Sequence, residues 1–273
     1  MADRNVALAV RHRDALIATR RATSRRVRLL WDNLGTYDRA DVPRFTSAAT
    51  GVVAAGQRRA VSLTAAYLGR LSGTPIRGLN FDTLTGAAVR NGAAPADVYT
   101  RPFVQMWTAL GNGTPYPDAV AAAGARVEGT AATDVSLSMR ASAEDAAAEF
   151  EQRVIGWERV LDPDACAFCA AASTQRYKSA LLEGLHTNCQ CGVAPVFREN
   201  DRSIRDFNKQ VLRNIKDANA GADRPYWEAR HFRVDGQTGE VILPEVAVHE
   251  HGELGAVLTD AAHAFSGPGD IPA

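Results

Sequence analysis

All four cysteines of this 273-residue chain lie within 26 residues, between Cys166 and Cys191. Structural thiols scattered through a core do not cluster in this way. Either a metal ion or a pair of local disulfides must therefore hold this segment together. The clustering predicts a small cross-linked unit inside a larger chain.

The spacing of the cysteines favours a metal. Cys166 and Cys169 form a Cys-x-x-Cys pair, whose thiolates can occupy one edge of a tetrahedral zinc site. After sixteen residues, the run 186–191 offers His186, Cys189 and Cys191 for the two remaining positions. The sequence predicts a structural Zn site drawn from these five residues, with the fourth ligand open between His186 and Cys191.

Two alternatives to zinc remain open. Two disulfides would have to cross between the Cys-x-x-Cys and Cys-x-Cys pairs, because the two pairs cannot both close comfortably within themselves. A redox-active pair is disfavoured, because a thioredoxin-like motif needs a strand before Cys-x-x-Cys and a helix after it. Here a helix and a turn are predicted before Cys166.

The front of the chain has helical periodicity. Apolar residues recur at three- and four-residue steps over 2–34 and 42–71. Further helices are predicted over 81–92, 95–110, 117–140 and 142–160, separated by Gly, Pro and Asn. Residues 1–160 are therefore expected to be all-helical.

The sequence pattern changes after residue 160. The Cys-rich segment has little helical periodicity, and a helix is predicted over 199–219. A short strand is expected over 239–243, another over 246–248, and a last small helix over 253–264. We predict a mainly α fold with a helical region over 1–160, a small zinc-stapled α+β module over 161–223, and a mixed, partly flexible tail over 224–273.

The first predicted helix is rich in arginine. Its basic side chains either form a solvated face or contact packaged DNA or an acidic partner. The candidate DNA-contacting residues are Arg11, Arg13, Arg20, Arg21, Arg25, Arg26 and Arg28. Because Lys+Arg and Asp+Glu are both 31, the neutral whole chain favours the solvated face. No run of 18 apolar residues exists, so we expect no membrane span.

The cysteine segment and its flanks resemble the Mu F-like phage head morphogenesis family, as found in actinobacteriophages. That family has a Trp-containing segment, an Asp before Cys-x-x-Cys, and then His-x-x-Cys-x-Cys before a short apolar strand. Here these parts are Trp157–Cys169, His186–Cys191 and Val193–Val196. The sequence departs from the family at Thr187, where Pro is usual, and at Gln190, where Arg is usual.

The resemblance implies a minor capsid protein acting in head assembly near the portal. The implied partners are the portal protein and the scaffold or major capsid protein. The implied location is the virion, in the head interior or at the portal vertex, after synthesis in the host cytoplasm. Similar actinophage proteins are often labelled capsid maturation proteases, so cleavage of scaffold or capsid protein is the alternative function.

Local enzyme signatures are weak. Gly51–Arg58 has the glycine spacing of a phosphate loop but lacks its Lys and Ser/Thr. The tail pair His249 and His251, with Ser266 and Asp270, faintly resembles a JAMM-type zinc isopeptidase, but the Ser-to-Asp spacing is too long. We expect a polar, flexible tail there, and no catalytic nucleophile can be nominated.

Overall fold

The computed structural model describes residues 2–147, 153–163, 165, 167–174, 176–178, 191–198, 203–219, 233–234, 241–242 and 246–260. These residues are mainly helical, as predicted, with small antiparallel strand pairs in the second half of the chain. Within this described part, no helix is both long and apolar enough to cross a membrane.

Five α-helices make up the front of the chain: α1 (Ala2–Asp32), α2 (Asp41–Ser72), α3 (Phe81–Leu84), α4 (Pro95–Gly111) and α5 (Tyr116–Ala147). A 3-10 helix covers Gly86–Arg90, between α3 and α4. The predictions of α1, α2 and α4 are confirmed within two residues at each end. The predicted helix over 81–92 is wrong as one element, because it divides into α3 and the 3-10 helix.

The long helices α1, α2 and α5 all pack against one another. At one end, the Trp31 ring lies 4.8 Å from the Phe103 ring and 5.5 Å from the Phe45 ring, and its Nε1 donates to the Val120 carbonyl. Near the middle, α1 and α2 approach so closely that a Cβ on Gly56 would lie 2.3 Å from the Thr23 hydroxyl oxygen. Residues 133–140 of α5 are all buried, so this part of α5 is enclosed on every side.

The second half of the chain contributes β1 (Val154–Val160), α6 (Ala167–Ala172), β2 (Gly192–Phe197) and α7 (Ser203–Asn219). Strands β1 and β2 pair antiparallel, with Trp157 opposite Pro195 and Val160 opposite Gly192. Both strands pack against α1, and α7 packs against α1 and β1. One apolar cluster accordingly joins α1, α2, α5, the β1–β2 pair and α7.

Two predictions about 117–160 are wrong. The expected break near Arg140 is absent, because no Gly or Pro interrupts residues 130–147 and α5 continues to Ala147. Residues 154–160 form β1 rather than a helix. This segment is rich in β-branched and aromatic residues, which favour a pleated surface, and its partner β2 lies more than thirty residues away.

The C-terminal part contains two strand pairs. β3 (Arg233–Val234) pairs with β4 (Val241–Ile242), and β5 (Val246–His251) pairs with β6 (Gly255–Asp260). The predicted strand over 239–243 is confirmed at its described residues, 241–242, and the predicted strand over 246–248 is confirmed within β5. The predicted helix over 253–264 is wrong in its described part, because a tight turn at 252–254 leads into β6.

Candidate metal centre

The β1–β2 pairing fixes both ends of the cysteine segment. Val160, the last residue of β1, lies opposite Gly192, the first residue of β2. The chain between them therefore leaves and re-enters the sheet at the same end. This geometry places Leu161 and Cys191 at the two ends of the segment that connects β1 to β2. Both residues belong to the same buried cluster.

A turn and a short helix lie at the start of the cysteine segment. The Ala165 amide donates to the Asp162 carbonyl at 3.0 Å, so the predicted turn at 162–164 is present in its described residues. Helix α6 follows and contains Cys169, whose exposed fraction is 1%. Cys191 is 3% exposed and shares the cluster of Cys169.

The shell around Cys169 and Cys191 is apolar. Among the described residues, its buried members come from α5, from the turn after β1 and from α7; they are Leu137, Leu161, Ala165 and Val211. The half-buried side chains of Leu212 in α7 and Leu254 in the β5–β6 turn pack against this cluster. The burial of both thiols suits a structural site better than one that must admit a substrate.

The structure brings together two of the five predicted ligands. Cys166, His186 and Cys189 lie outside the described residues. Among the residues that are described, no group of three or more His, Cys, Asp or Glu side chains is placed to hold a metal ion. Two cysteines cannot make such a group by themselves, so the zinc hypothesis stays a prediction.

One reason for disfavouring a redox pair is wrong. The segment before Cys166 was expected to be helical, but it is β1, and α6 follows it. Strand β1, the turn between Asp162 and Ala165, and α6, which contains Cys169, therefore follow one another. The pairing differs from a parallel βαβ unit, however, because β1 and β2 are antiparallel.

Asn208 of α7 ties the site to the helical bundle. Its side-chain nitrogen donates to the Arg159 carbonyl at 2.7 Å, and its oxygen accepts the Leu161 amide at 3.1 Å. The side chain is 2% exposed, so these bonds satisfy buried backbone groups that β2 leaves unpaired. The sequence carried a signal for this role, because Asn208 interrupts the apolar stripe of α7 formed by Ile204 and Val211.

Glu158 is a buried carboxylate on β1. Its Oε1 accepts from Arg176 at 3.1 Å and from Arg205 at 3.4 Å. The backbones of Trp157 and Tyr177 exchange hydrogen bonds of 2.7 and 2.8 Å, which hold the Arg176 segment against β1. The ion pairs thereby connect β1 to the chain beyond α6 and to α7.

The seven predicted DNA-contacting arginines differ in their exposure to solvent. Arg13 and Arg20 are each 4% exposed, so the prediction is wrong for these two. Arg13 donates to the Leu161 carbonyl, and Arg20 donates to the Ser136 hydroxyl at 3.0 Å. Arg28 is half-buried and paired with Asp32 at 2.7 Å. The remaining four are exposed: Arg11, Arg21, Arg25 and Arg26.

The β5–β6 hairpin is docked onto the helices, against the expectation of a flexible tail at His249 and His251. Glu253 in its turn accepts hydrogen bonds from Arg101 of α4 and from Arg90 of the 3-10 helix. The hydrogen bond from Arg101 lowers the pKa of Glu253. The His251 Nδ1 accepts from the Glu253 and Leu254 amides, so this nitrogen stabilises the turn.

Arg90 continues the network inward. It also donates to Asp134 of α5, whose second carboxylate oxygen accepts from Tyr99 at 2.7 Å. Burial raises the pKa of Asp134, although Arg90 and Tyr99 oppose that shift. Sequence patterns missed this network because its members lie up to 163 residues apart.

His12 is a buried titratable group on the opposite side of α5. Its ring stacks on Tyr67 at 4.3 Å, and its Nε2 lies 3.1 Å from the Thr64 hydroxyl. That hydroxyl donates to the Ala60 carbonyl, so Nε2 carries the proton and donates to Thr64. Burial, with a smaller contribution from Arg20, lowers the pKa of His12 to about 3.

Comparison with protein-family models, with curated proteins and with solved structures found no match to this chain.

Proposed function

We propose that this chain is a minor component of a phage head, of the Mu F-like type, that acts in head assembly near the portal. Its partners would be the portal protein and the scaffold or major capsid protein. A structural zinc site would hold its cysteine segment compact.

One observation carries the proposal. Two described parts of the Mu F-like pattern lie next to one another in the fold. The Trp157 segment is β1, the Val193–Val196 segment lies in β2, and the two strands pair. Cys169 and Cys191, one from each cysteine pair, belong to one buried cluster. The described parts of a pattern that spans about 40 residues therefore lie close together, which supports the proposal.

The residues present fit a structural zinc. Four ligands from Cys166, Cys169, His186, Cys189 and Cys191 would hold it, and the apolar shell around Cys169 and Cys191 would exclude water. When bound, zinc would cross-link the two ends of the segment 161–191, which connects β1 to β2. Such sites stabilise small modules by roughly 10 kcal/mol, because the unfolded chain does not hold the metal.

Quantitative mass spectrometry of purified virions tests the assembly role. We expect intact chain at a few copies per particle, together with the major capsid protein. If the chain is missing from particles, the head-component proposal is refuted. If it is missing while the capsid protein is trimmed at its N-terminus, the maturation protease becomes the better hypothesis.

Metal analysis of the full-length chain tests the zinc site separately. We expect about one zinc per chain, which Cys169→Ser removes together with a large fall in melting temperature. Gln190→Ala, between the last two cysteines, serves as the control and keeps the metal. If the chain contains no metal and its cysteines are oxidised, the zinc hypothesis is refuted in favour of two disulfides.

A further inference from the structure

The chain is neutral as a whole, but its charge is segregated. Residues 1–81 contain 14 arginines, no lysine and 5 aspartates, so their formal charge is +9. The other 192 residues contain 17 basic and 26 acidic side chains, which gives −9. The average over the whole chain therefore conceals a strongly basic front.

Helices α1 and α2 present this charge outward. Exposed arginines lie along both helices: Arg4, Arg11, Arg21, Arg25 and Arg26 on α1, and Arg44, Arg58, Arg59 and Arg70 on α2. Between Ala15 and Trp31, and again between Val42 and Ser72, there is no acidic residue. We call the exposed arginines of these two helices, which pack against each other, the arginine face.

Two acidic side chains on α1, Asp14 and Asp32, are already paired. Asp14 accepts from the buried Arg13 at 2.8 Å, and Asp32 accepts from Arg28 at 2.7 Å. Neither carboxylate is paired with an exposed arginine of the face. Within the described residues, Arg11, Arg26 and Arg59 make no ion pair, so their charge is available to a partner.

The side chains between the arginines are small. The exposed residues interleaved with them on the two helices are mostly alanine, serine and glycine, namely Ala7, Ala18, Ala22, Ser47, Ala48, Gly51, Ala55, Ser62 and Ala66. Among the exposed side chains described on α1 and α2, Leu29 is the single large apolar one. Protein interfaces need buried aromatic or aliphatic anchors, and this face offers almost none.

From these observations we infer that the arginine face binds the phosphate backbone of duplex DNA without reading its sequence. Guanidinium groups pair with phosphates in a charge-assisted, bidentate way, and small neighbours let a bulky duplex approach. Arg4 and Arg26 are separated by about 33 Å along α1, which is roughly one turn of B-DNA. The face thus matches a repeated anionic surface better than a compact acidic ligand.

This inference rests on the proposed function, because a head component lies beside packaged DNA. The evidence for it is separate and consists of the charge of α1 and α2. A chain that binds DNA yet is missing from virions would refute the assembly role alone. A chain present in virions that does not bind DNA would refute the arginine face alone.

The test is the binding of the full-length chain to fluorescent 25-base-pair duplexes of two unrelated sequences, over a series of salt concentrations. We expect equal affinities for the two sequences and a steep loss of affinity with salt. The triple variant Arg11→Gln/Arg26→Gln/Arg59→Gln should bind at least tenfold more weakly. Its slope of log K against log salt should be shallower by about 2–3, because each lost phosphate contact removes about 0.9.

A control variant removes the same charge elsewhere. Arg198→Gln/Lys209→Gln/Arg213→Gln changes exposed side chains after β2 and should retain the wild-type slope and affinity within about threefold. Equal losses in the two triple variants would show that only net charge matters, which overturns the arginine face. Competition by polyglutamate as effective as that by DNA of equal charge would overturn the choice of DNA in favour of an acidic polypeptide.

Discussion

The buried His12 makes a sharp prediction about acid stability. Above pH 6.5 the imidazole is neutral in both the folded and the unfolded chain. Below that pH the unfolded chain takes up a proton, whereas the folded chain does not until about pH 3. The free energy of unfolding must therefore fall as the pH falls below 6.5.

The size of the effect follows from the two pKa values. Between pH 7.5 and pH 5.0, an unfolded pKa of about 6.5 against a folded pKa of about 3 removes about 2 kcal/mol. The physical cause is that Nε2 already donates to Thr64 and Nδ1 is buried without an acceptor among the described residues. A second proton would have no hydrogen-bond partner there.

Urea unfolding followed by tryptophan fluorescence at the two pH values measures this contribution. His12→Phe keeps a ring against Tyr67 but cannot titrate, so its loss of stability between pH 7.5 and 5.0 should be smaller than that of the wild type by about 2 kcal/mol. Tyr67→Phe is the matched control, because it keeps the stack and the histidine. It should retain the full wild-type pH dependence.

The test compares the losses of stability between pH 7.5 and pH 5.0, so it is independent of the absolute stability of each variant. Other titrating groups are common to all three proteins and cancel in the differences. If the wild type and His12→Phe lose the same stability between the two pH values, then His12 is not buried in its neutral form and the reasoning is wrong.

Three further perturbations probe other contacts. Gly56→Ala forces a methyl group against α1 and should destabilise the chain by about 1–3 kcal/mol in urea unfolding. At Gly51 the added methyl group meets nothing within 4 Å, so Gly51→Ala should stabilise the chain by about 0.5–1 kcal/mol. Asn208→Ala leaves two buried backbone groups unpaired and should lower the free energy of unfolding by about 2–4 kcal/mol, measured in the same way. Glu253→Gln weakens the docking of the β5–β6 hairpin, so hydrogen exchange of 246–260 should accelerate several-fold, with global stability changed by about 1 kcal/mol or less.

Each of these predictions can fail clearly. Equal stability of the two glycine variants would mean that α1 and α2 do not cross closely at Gly56. An Asn208→Ala chain as stable as the wild type would mean that water or other groups satisfy the strand ends. Unchanged hairpin exchange in Glu253→Gln, or an equal acceleration in the control Glu250→Gln, would mean that the Glu253 ion pairs do not hold the hairpin.

The helices were predictable because their information is local. The apolar periodicity of α1 and α2 is visible in any window of a few turns, and both helices form where the pattern places them. β1 was missed because nothing within Val154–Val160 shows that Gly192–Phe197 will pair with it. Strand pairing at that distance is a tertiary property, which overrides a weak local preference.

The candidate site was predictable only in part. The spacing of cysteines indicated a common unit, and the clustering of Cys169 with Cys191 agrees with that. The inward position of Arg13 and Arg20 could not be inferred, because arginine is usually exposed and a buried one needs partners from distant segments. Leu161 and Ser136 supply those partners from 148 and 116 residues away.

The packing of α1 against β2 has a consequence for how the chain folds during synthesis. A Cβ on Gly192 would lie 3.1 Å from the Cβ of Arg13, so the first half of α1 fits directly against a strand made almost 180 residues later. At about 5–20 residues per second, a ribosome needs roughly 10–35 s to supply that strand. During this interval the apolar side of α1 must be shielded by α2 and α5 or by a chaperone. Slow translation between Arg13 and Gly192 should therefore increase chaperone dependence more than slow translation after β2.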